Sequence, residues 1–468
     1  MTNAELFLHE SDYPDFPADT AVEHLRQALR FPTVSYVDVS RISYAAFDDF
    51  HTFLRRSYPH LRSRCIWEEV GHSLLLTLPG TNPCLRPALF MAHQDVVPIR
   101  PGTEANWLHG PFSGDLSDGC IWGRGAMDIK EMLIGHLEAM EYLLARGASP
   151  QRTVYFAFGE DEETCSTGAM AICRLLRERN VELEFVLDEG AGDVMDAADY
   201  GAPGTLACSI GIYEKGYADL RLSVRSKGGH SSNPFHGTSL GHMAQAISSI
   251  LAHPRPPVLT DCLKAALTDL KSHITEEPMR TYIQDMDLYE QELLNWCMAH
   301  ESLYHQVSTT IAPTMISEGS PAANVLPQDM WAVVNMRLAP SDPPEAMLEH
   351  CRHLVGSEIS LSFDQQISAS RPSDITAYGY RHLKNVLEHY FDRLIFIPSQ
   401  NRGATDCRQY EPICRCCLRF GPFLEEEKIS SEGIHGTNER ISVRAYLQGL
   451  RVLTRLMETT CIQPEEPR

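Results

Sequence analysis

Residues 87–98 read PALFMAHQDVVP, an apolar run that ends at His93 and is followed closely by Asp95. A short, continuously apolar run is typical of a strand buried in a parallel sheet. The same arrangement recurs in TVYFAFGEDEE, which ends at Glu163, and in FVLDEG, which contains Asp188. Ligands of open α/β proteins collect at the carboxyl ends of such strands. Polar side chains placed repeatedly at strand ends therefore predict one shared cleft.

Two further groups of metal-ligand type accompany these strands. Asp128 in GRGAMDIK opens a predicted helix, and His435 lies in GIHGTNER near the end of the chain. Taken alone, Asp128 is better explained as a helix N-cap and His93 as a satisfied surface histidine. Together, two imidazoles and three carboxylates form a set that binds two zinc-like ions with one carboxylate shared. Such ligation without thiolates favours zinc, cobalt or manganese in an open catalytic site.

Four adjacent acids, Glu160 to Glu163, follow an apolar strand. They would repel one another there without a cation to neutralise them. Adjacent glutamates also allow divided roles, so that Glu163 binds metal while Glu162 accepts a proton from water. Asp95, two residues after His93, is placed to fix the orientation of that imidazole. The sequence therefore predicts a two-metal hydrolase site.

The order of predicted elements indicates two domains. Strands and helices alternate from about residue 20 to 190, which predicts a mostly parallel sheet flanked by helices. After Lys215 and Gly216 the pattern becomes a split β-α-β-β-α-β unit, and after about residue 370 the α/β style returns. We therefore predict an α/β catalytic domain of residues 1–215 and 367–468. Residues 216–366 are predicted to form an inserted α+β domain.

Composition excludes several classes of protein. The 468 residues include 62 acidic and 40 basic side chains, a net charge of −22, which argues against nucleic-acid binding. No apolar run reaches the length of a membrane span, and the N-terminus does not resemble a secretory signal. The 14 cysteines are therefore expected to be thiols in a cytoplasmic protein. Cys414, Cys416 and Cys417 are expected to be buried or half-buried thiols rather than a metal knuckle.

Several motifs together resemble a known family. They are MAHQDVVP, WLHGPFSGDLSDGCIWGRGAMDIK, YFAFGEDEE, FVLDEG, GGHSS, AANVLP, GATDCRQY and IHGTNERI. The chain resembles, from about residue 20 to 455, the dinuclear-zinc peptidases and amidohydrolases that include aminoacylase, glutamate carboxypeptidase and succinyl-diaminopimelate desuccinylase. It is most similar to their carboxypeptidase S branch, which includes N-fatty-acyl-amino-acid hydrolases and synthases. The resemblance implies a zinc-exopeptidase-like catalytic domain and an inserted lid or dimerisation domain.

The resemblance also implies a ligand set. His93, Asp128 and Asp188 would surround one Zn²⁺, and Asp128, Glu163 and His435 the other, so that Asp128 bridges the two. Co²⁺ or Mn²⁺ would be possible substitutes.

Catalytic and substrate-binding residues follow from the same resemblance. Glu162 matches the general base and Asp95 the aspartate that supports the first histidine. His230 matches a histidine that polarises the scissile carbonyl, often contributed by the partner subunit of a dimer. Asn324 and Arg337 match residues that contact the substrate's oxyanion or carboxylate. Taken alone, these three residues are equally explained as a loop histidine, a turn residue and a surface arginine.

Two segments depart from the family's pattern. The common Gly-Gly-Gly-Thr loop reads Arg402-Gly403-Ala404-Thr405 here, which places the expected substrate contact at Ala404 in doubt. The stretch at about 255–305 is longer than in the simplest members. It would shape the cleft or replace contacts made elsewhere across a dimer.

The predicted function is hydrolysis of an amide bond next to a free carboxylate, in an N-acyl amino acid or a short peptide. A dipeptidase is the alternative within the enzyme class, and the ligand set is common to both. A catalytically inactive metal-bound binding protein is the alternative from another class, although Glu162 argues against it. A cysteine hydrolase using Cys165 is disfavoured by the acidic surroundings of the thiol.

Overall fold

The computed structural model describes residues 7–234, 237–401, 403–425 and 433–464. The chain divides into two compact units. The first comprises Met1–Met195, Thr205–Ile212 and Ser373–Arg468, and the second comprises Asp196–Gly204 and Tyr213–Pro372. The sequence had placed residues 196–204 in the first domain. They belong to the second because Asp199 accepts hydrogen bonds from the Trp296 indole at 2.7 Å and from the Ser302 amide at 3.3 Å.

The first unit is built on a nine-stranded sheet, in the order β1-β2-β6-β3-β7-β17-β9-β16, with β8 paired to β9. Its strands are β1 Ile66–Val70, β2 Ser73–Leu78, β3 Ala88–His93, β6 Val154–Gly159, β7 Phe185–Asp188, β8 Val194–Ala197, β9 Ala202–Glu214, β16 Leu394–Asn401 and β17 Cys417–Arg419. Strands β6, β3, β7 and β17 are adjacent in this order and run parallel to one another. The predicted mostly parallel sheet is confirmed at the centre of the unit.

Helices accompany this sheet. They are α1 Ala18–Ala28, α2 Tyr44–Ser57, α3 Pro59–Arg64, α4 Lys130–Ala145, α5 Thr167–Glu178, α12 Tyr378–Tyr390 and α13 Val443–Met457. Helix α4 is buried along almost its whole length, as expected for a helix between a sheet and other helices. Every residue of β3, β6 and β7 is buried, which explains their continuously apolar sequences.

The parallel strands place their carboxyl ends at one edge of the sheet. His93 is the last residue of β3, Asp188 is the last residue of β7, and the acidic segment follows directly after β6. These three strands are adjacent, since β3 pairs with both β6 and β7. The fold therefore brings the three sequence-distant motifs together.

A small three-stranded sheet positions the other two ligand candidates. It consists of β4 Asp115–Ser117, β5 Cys120–Trp122 and β18 Arg440–Ser442. Trp122, the last residue of β5, pairs with Arg440, the first residue of β18. The loop that leaves β5 carries Asp128, and the loop that enters β18 carries His435. Because one strand pair joins these loops, the two residues meet although 307 positions separate their numbers.

The second unit has its own sheet and core. Antiparallel strands β10 Gly216–Arg225, β12 Thr310–Ile316, β14 Asp329–Leu338 and β15 Ile359–Ile367 pair in the order β12-β14-β10-β15. Helices α6 Ser239–Ala252 and α11 Pro344–Leu354 contribute to its buried apolar cluster. This order is the split β-α-β-β-α-β unit that the sequence predicts.

Two additions complete the second unit. Strands β11 Gly229–His230 and β13 Val325–Leu326 form a two-stranded ribbon. The longer stretch after α6 is helical, with α7 Asp261–Leu270, α8 Met279–Tyr282, α9 Glu290–Ala299 and α10 Glu301–Val307. Among the described residues, none of these helices, nor any in the first unit, is both long and apolar enough to cross a bilayer.

Candidate metal centre

Asp128 lies between two histidines. Its Oδ1 atom is 3.1 Å from Nε2 of His93, and its Oδ2 atom is 2.9 Å from Nε2 of His435. Each carboxylate oxygen therefore faces a different imidazole. A carboxylate arranged in this way can bridge two cations, one on the side of each histidine.

Asp95, two residues after His93 in the motif, holds the His93 imidazole in one orientation. Its Nδ1 atom lies 2.8 Å from the backbone carbonyl of Asp95 and 3.4 Å from that residue's Oδ1 atom. Nδ1 therefore donates to the carbonyl, and Nε2 faces Asp128. The imidazole is almost fully buried, with 1% of its side chain exposed. The geometry is that of a metal-binding histidine.

Asp95 also holds the acidic segment after β6. Its buried carboxylate accepts the backbone N–H groups of Glu162 at 3.1 Å and Glu163 at 3.2 Å. It accepts a third hydrogen bond from Ser35 Oγ at 2.6 Å. Asp95 therefore positions both glutamates through their backbone, a role that the sequence alone did not indicate.

The four adjacent acids have different surroundings. Asp161 accepts the N–H groups of Thr167 and Gly168, each at 2.9 Å, at the start of α5. Glu163 turns to the cleft, where its Oε2 atom is 3.1 Å from Nε2 of His435. Glu162 groups with His93 and Glu189, with one ligand-type atom from each residue within 4.8 Å of the others. Glu162 thus lies beside His93 and Glu189, and Glu163 lies beside His435.

The structure places Glu189, rather than Asp188, against His93. The Oε1 atom of Glu189 is 3.4 Å from Nε2 of His93, whereas Oδ2 of Asp188 accepts the backbone N–H of Cys407 at 2.8 Å. Successive side chains of a strand point to opposite faces, so only one of two adjacent acids faces the cleft. The pair is visible in the sequence as DEG, but the choice between its members depends on the backbone at the end of β7.

His435 lies in a loop whose backbone is strained at that residue and which is held in place by Arg124 and Glu439. Its backbone has φ 57°, in the left-handed region that side chains rarely adopt. Arg124 donates to the carbonyl of Gly436 at 2.7 Å and forms a buried ion pair with Glu439 at 2.6 Å. Glu439 in turn accepts the N–H of Met127 at 2.9 Å, next to Asp128. The Arg124–Glu439 pair therefore ties together the loops that carry Asp128 and His435.

The charges of the cleft are unbalanced without a cation. Burial lowers the pKa of His93, but the carboxylates of Glu189, Asp128 and Asp95 outweigh it and raise that pKa well above its usual range. Burial, followed by repulsion from Glu189, raises the pKa of Glu162. Burial raises the pKa of Glu189 to about 8, although His93 opposes the change. Carboxyl groups crowded in this way gain most from a bound cation.

The side chains present fit divalent cations. One ligand-type atom from each of His93, Asp128 and Glu163 lies within 4.8 Å of the others, and the group of His93, Glu162 and Glu189 meets the same limit. Imidazole nitrogens and carboxylate oxygens without thiolates are the donors that catalytic zinc prefers. The predicted metal centre is therefore chemically consistent with the geometry.

The predicted residues of the second unit include a connected pair. His230 lies on the ribbon, opposite Val325, and the N–H of Ser231 donates to the carbonyl of Asn324 at 3.0 Å. Nδ1 of His230 accepts the backbone N–H of Ser232 at 3.1 Å, which leaves the ring proton on Nε2. Both His230 and Asn324 are exposed. The exposed imidazole is thus held as a hydrogen-bond donor.

Arg337 and Ala404 have open surroundings. Arg337 is an exposed residue of β14, on the sheet face opposite the core residues Met336 and Leu338, with its guanidinium 4.8 Å from the centroid of the Tyr217 ring. Ala404 is exposed in the first unit, and Arg402 of the same loop lies outside the described residues.

The cysteines have the surroundings expected of thiols. All 14 are free, and Cys414, Cys416 and Cys417 are buried, in agreement with the prediction for that cluster. Cys414 Sγ donates to the carbonyl of Cys416 at 3.3 Å. Cys165 is exposed and lies after the acidic segment.

Comparison with known proteins identifies relatives of the whole chain. Residues 89–459 match the model of peptidase family M20/M25/M40. A probable carboxypeptidase S-like protein 2 of Dictyostelium discoideum is 30% identical over 94% of this chain and 84% of its own length. The N-fatty-acyl-amino acid synthase/hydrolase PM20D1 of Homo sapiens is 31% identical over 93% of this chain and 87% of its own length.

A solved structure has the same fold. The M20 family metallo-carboxypeptidase Sso-CP2 from Sulfolobus solfataricus matches with a TM-score of 0.60 at 18% identity, over 94% of this chain and 98% of that one.

Proposed function

This chain belongs to peptidase family M20/M25/M40 and is a metal-dependent hydrolytic enzyme of amide bonds, and from that premise we propose its substrate and its catalytic residues. The substrate is an amide whose amine part carries a free carboxylate. The assignment of the site depends on Asp128, because one of its carboxylate oxygens faces His93 and the other faces His435. Two cations held on either side of one carboxylate suit hydrolysis by an activated water molecule.

We assign the ligands from the contacts of the first unit. His93, Asp128 and Glu189 would hold one Zn²⁺, and Asp128, Glu163 and His435 the other. Asp188 remains the ligand that the family resemblance implies in place of Glu189, and the variants described in the Discussion distinguish the two. When bound, the cations supply Lewis acidity for the carbonyl oxygen and lower the pKa of a water molecule.

Glu162 acts as the proton carrier of the reaction. Its carboxylate belongs to the group that contains His93 and Glu189. It accepts the proton of the attacking water and later gives it to the nitrogen of the leaving amine, while the C–N bond breaks. Asp95 supports this step because it fixes the backbone of Glu162 and the ring of His93.

Residues of the second unit would bind the remaining parts of the substrate. The Nε2–H of His230 would donate to the oxygen that becomes negative in the tetrahedral intermediate. Arg337 would bind the free carboxylate by charge-assisted hydrogen bonds, and Asn324 would contribute a contact to the oxyanion. Ala404 would contribute only a backbone contact.

The substrate class follows from the relatives' names. Carboxypeptidase S-like and N-fatty-acyl-amino-acid enzymes both suggest an amide next to a free carboxylate. We therefore propose an N-acyl amino acid as substrate, with a short peptide as the alternative. A homodimer formed through the second unit and a cytoplasmic location remain predictions from the sequence.

The test is a matched set of four substrates offered to the purified protein with Zn²⁺, Co²⁺ or Mn²⁺. They are one N-acyl amino acid, its α-carboxamide, one dipeptide and the dipeptide's carboxamide. We expect hydrolysis of the acids and little hydrolysis of either carboxamide. Faster cleavage of the dipeptide would change the substrate class, and equal cleavage of acids and carboxamides would contradict the proposal. The same assay with amine and acid supplied together measures condensation.

A further inference from the structure

A cavity beside His435 is left unused by the mechanism. It has a volume of about 300 Å³ and lies within the first unit. Its lining comes from the loop after β3, which contributes Arg100 and Trp107, from Arg124 and from the His435 loop. The volume is within the range of small-molecule sites, and such sites combine apolar walls with a few placed polar groups.

The walls of this cavity are fastened to each other. Asn438 accepts the N–H of Leu108 at 2.8 Å and donates to the carbonyl of Asn106 at 3.3 Å. Arg124 donates to the carbonyl of Gly436 at 2.7 Å. Two hydrogen bonds therefore join the loop that carries Trp107 to the loop that carries His435, and a third joins the His435 loop to Arg124. The cavity is a built feature of the fold rather than an irregularity of one loop.

Two buried donors in its wall have no acceptor in the described parts of the chain. They are the indole N–H of Trp107 and the Nε–H of Arg124, which is separate from the Nη atoms used by Glu439 and Gly436. The two side chains are adjacent, with the guanidinium 5.5 Å from the centroid of the indole ring. Arg124 is 2% exposed and Trp107 9%. Buried donors are nearly always paired, so two unpaired ones in one wall indicate a missing acceptor.

We propose that this cavity is a subsite for a carboxylate on the acyl part of the substrate, and this inference rests on the proposed function. The amine part already has a partner for its carboxylate in Arg337, so the cavity next to His435 remains for the acyl part. Arg100 also lines the cavity, and it has no ion pair with an acid in the described residues. A carboxylate or a neutral carbonyl could supply the missing oxygen acceptor. The positive charge of Arg100 favours the carboxylate.

The experiment compares acyl groups of equal length on one amino acid. N-glutaryl carries a terminal carboxylate, N-pentanoyl carries none, and N-(4-carbamoylbutanoyl), in which the terminal carboxylate of glutaryl is replaced by a carboxamide, offers a neutral carbonyl at the same place. Trp107→Phe removes the indole N–H and keeps an aromatic ring. We expect it to lower kcat/KM for the N-glutaryl substrate by about tenfold or more, chiefly through KM, and to leave the N-pentanoyl substrate unchanged within about twofold.

Two further variants complete the design. Arg100→Gln should lower kcat/KM for N-glutaryl alone, since it removes charge from an exposed position that does not affect folding. Trp67→Phe is the matched control, because it deletes an indole N–H that donates to the carbonyl of Leu61 at 3.3 Å, outside the cavity. If Trp107→Phe does not fold, the ratio between N-glutaryl and N-pentanoyl in Arg100→Gln decides the question.

Three outcomes would overturn the proposal. Equal losses on N-glutaryl and N-pentanoyl would mean that Trp107 only supports the loop. A loss on the N-(4-carbamoylbutanoyl) substrate without a loss on N-glutaryl would assign the donors to a neutral carbonyl. Unchanged kinetics on all three would mean that the cavity holds water. If the unmodified protein hydrolysed none of the three, the proposed function itself would fail, which is a different result.

Discussion

The buried cluster at the strand ends of the first unit indicates a function by its geometry alone. The exposed residues of the second unit, His230 and Arg337, do not. In the cluster, His93, Asp128 and several carboxylates are gathered where water is scarce, and their charges require a cation. His230 and Arg337 are exposed, and solvent satisfies them whether or not they bind substrate. A buried group of like charges is costly and therefore indicates a function by itself. Exposed polar groups carry no such cost, so their roles depend on the family resemblance.

The largest expected effect tests Glu162, in the buried cluster of the first unit. Glu162→Ala should lower kcat for the N-acyl amino acid by about 10² to 10⁴-fold, the usual contribution of a general base, while bound metal is retained. Activity and metal content are measured on the same sample. Glu160→Gln is the control, because this acid belongs to the same segment but to neither ligand group. Normal hydrolysis by Glu162→Ala would show that another residue is the base.

The next effect concerns the pair that joins the two ligand loops. Arg124→Met leaves Glu439 as an unpaired buried carboxylate, which should lower the free energy of unfolding of the metal-free protein by about 3 to 5 kcal/mol. Arg179→Met removes an exposed pair with Glu68 and should cost less than about 1 kcal/mol. Denaturant unfolding measures both. Similar losses in the two variants would mean that the Arg124–Glu439 pair is no more than a surface contact.

A smaller effect decides between the two acids that follow β7. Glu189→Gln should weaken metal binding by about 10- to 100-fold, because its carboxylate faces His93. Asp188→Asn keeps an oxygen for the N–H of Cys407 and should change metal affinity less. Titration of the metal-free protein with Zn²⁺ gives both affinities. The reverse order would restore Asp188 as the ligand.

The smallest expected effect tests Arg337, one of the exposed residues of the second unit. Arg337→Ala should raise KM about tenfold for substrates with a free carboxylate and leave their carboxamides unchanged, as the loss of one charge-assisted hydrogen bond predicts. Arg221→Ala is a matched control: it is another arginine of the same sheet, 4.6 Å from the centroid of the Trp331 ring. Equal effects of the two substitutions would remove the assigned role of Arg337.

Much of the fold was predictable from local patterns. The apolar runs that end at His93, before Glu160 and at Asp188 identified three parallel strands, and the rule that ligands collect at strand ends predicted that these ends share one cleft. The split β-α-β-β-α-β unit was equally visible. The compact units differ from the predicted boundaries at residues 196–204, whose attachment to Trp296 and Ser302 is a tertiary contact that no local pattern encodes.

The candidate site was predictable in residue type more than in detail. Asp128, Glu163 and His435 meet as the ligand hypothesis requires. The contact of Glu189, rather than Asp188, with His93 was not predictable, since it depends on which way the backbone turns at a strand end. The Arg124–Glu439 pair was also missed, although both residues stand inside quoted motifs. Sequence motifs identify which residues lie near a site. Their contacts become visible only from burial and hydrogen bonds in the structure.

The most direct measurement is the metal content of the purified, active enzyme, determined by elemental analysis beside the Asp128→Asn variant. The account predicts two divalent cations per chain, a strong decrease in Asp128→Asn, and activity lost to chelators and restored by Zn²⁺. Full activity in a sample that contains no divalent transition metal would contradict it.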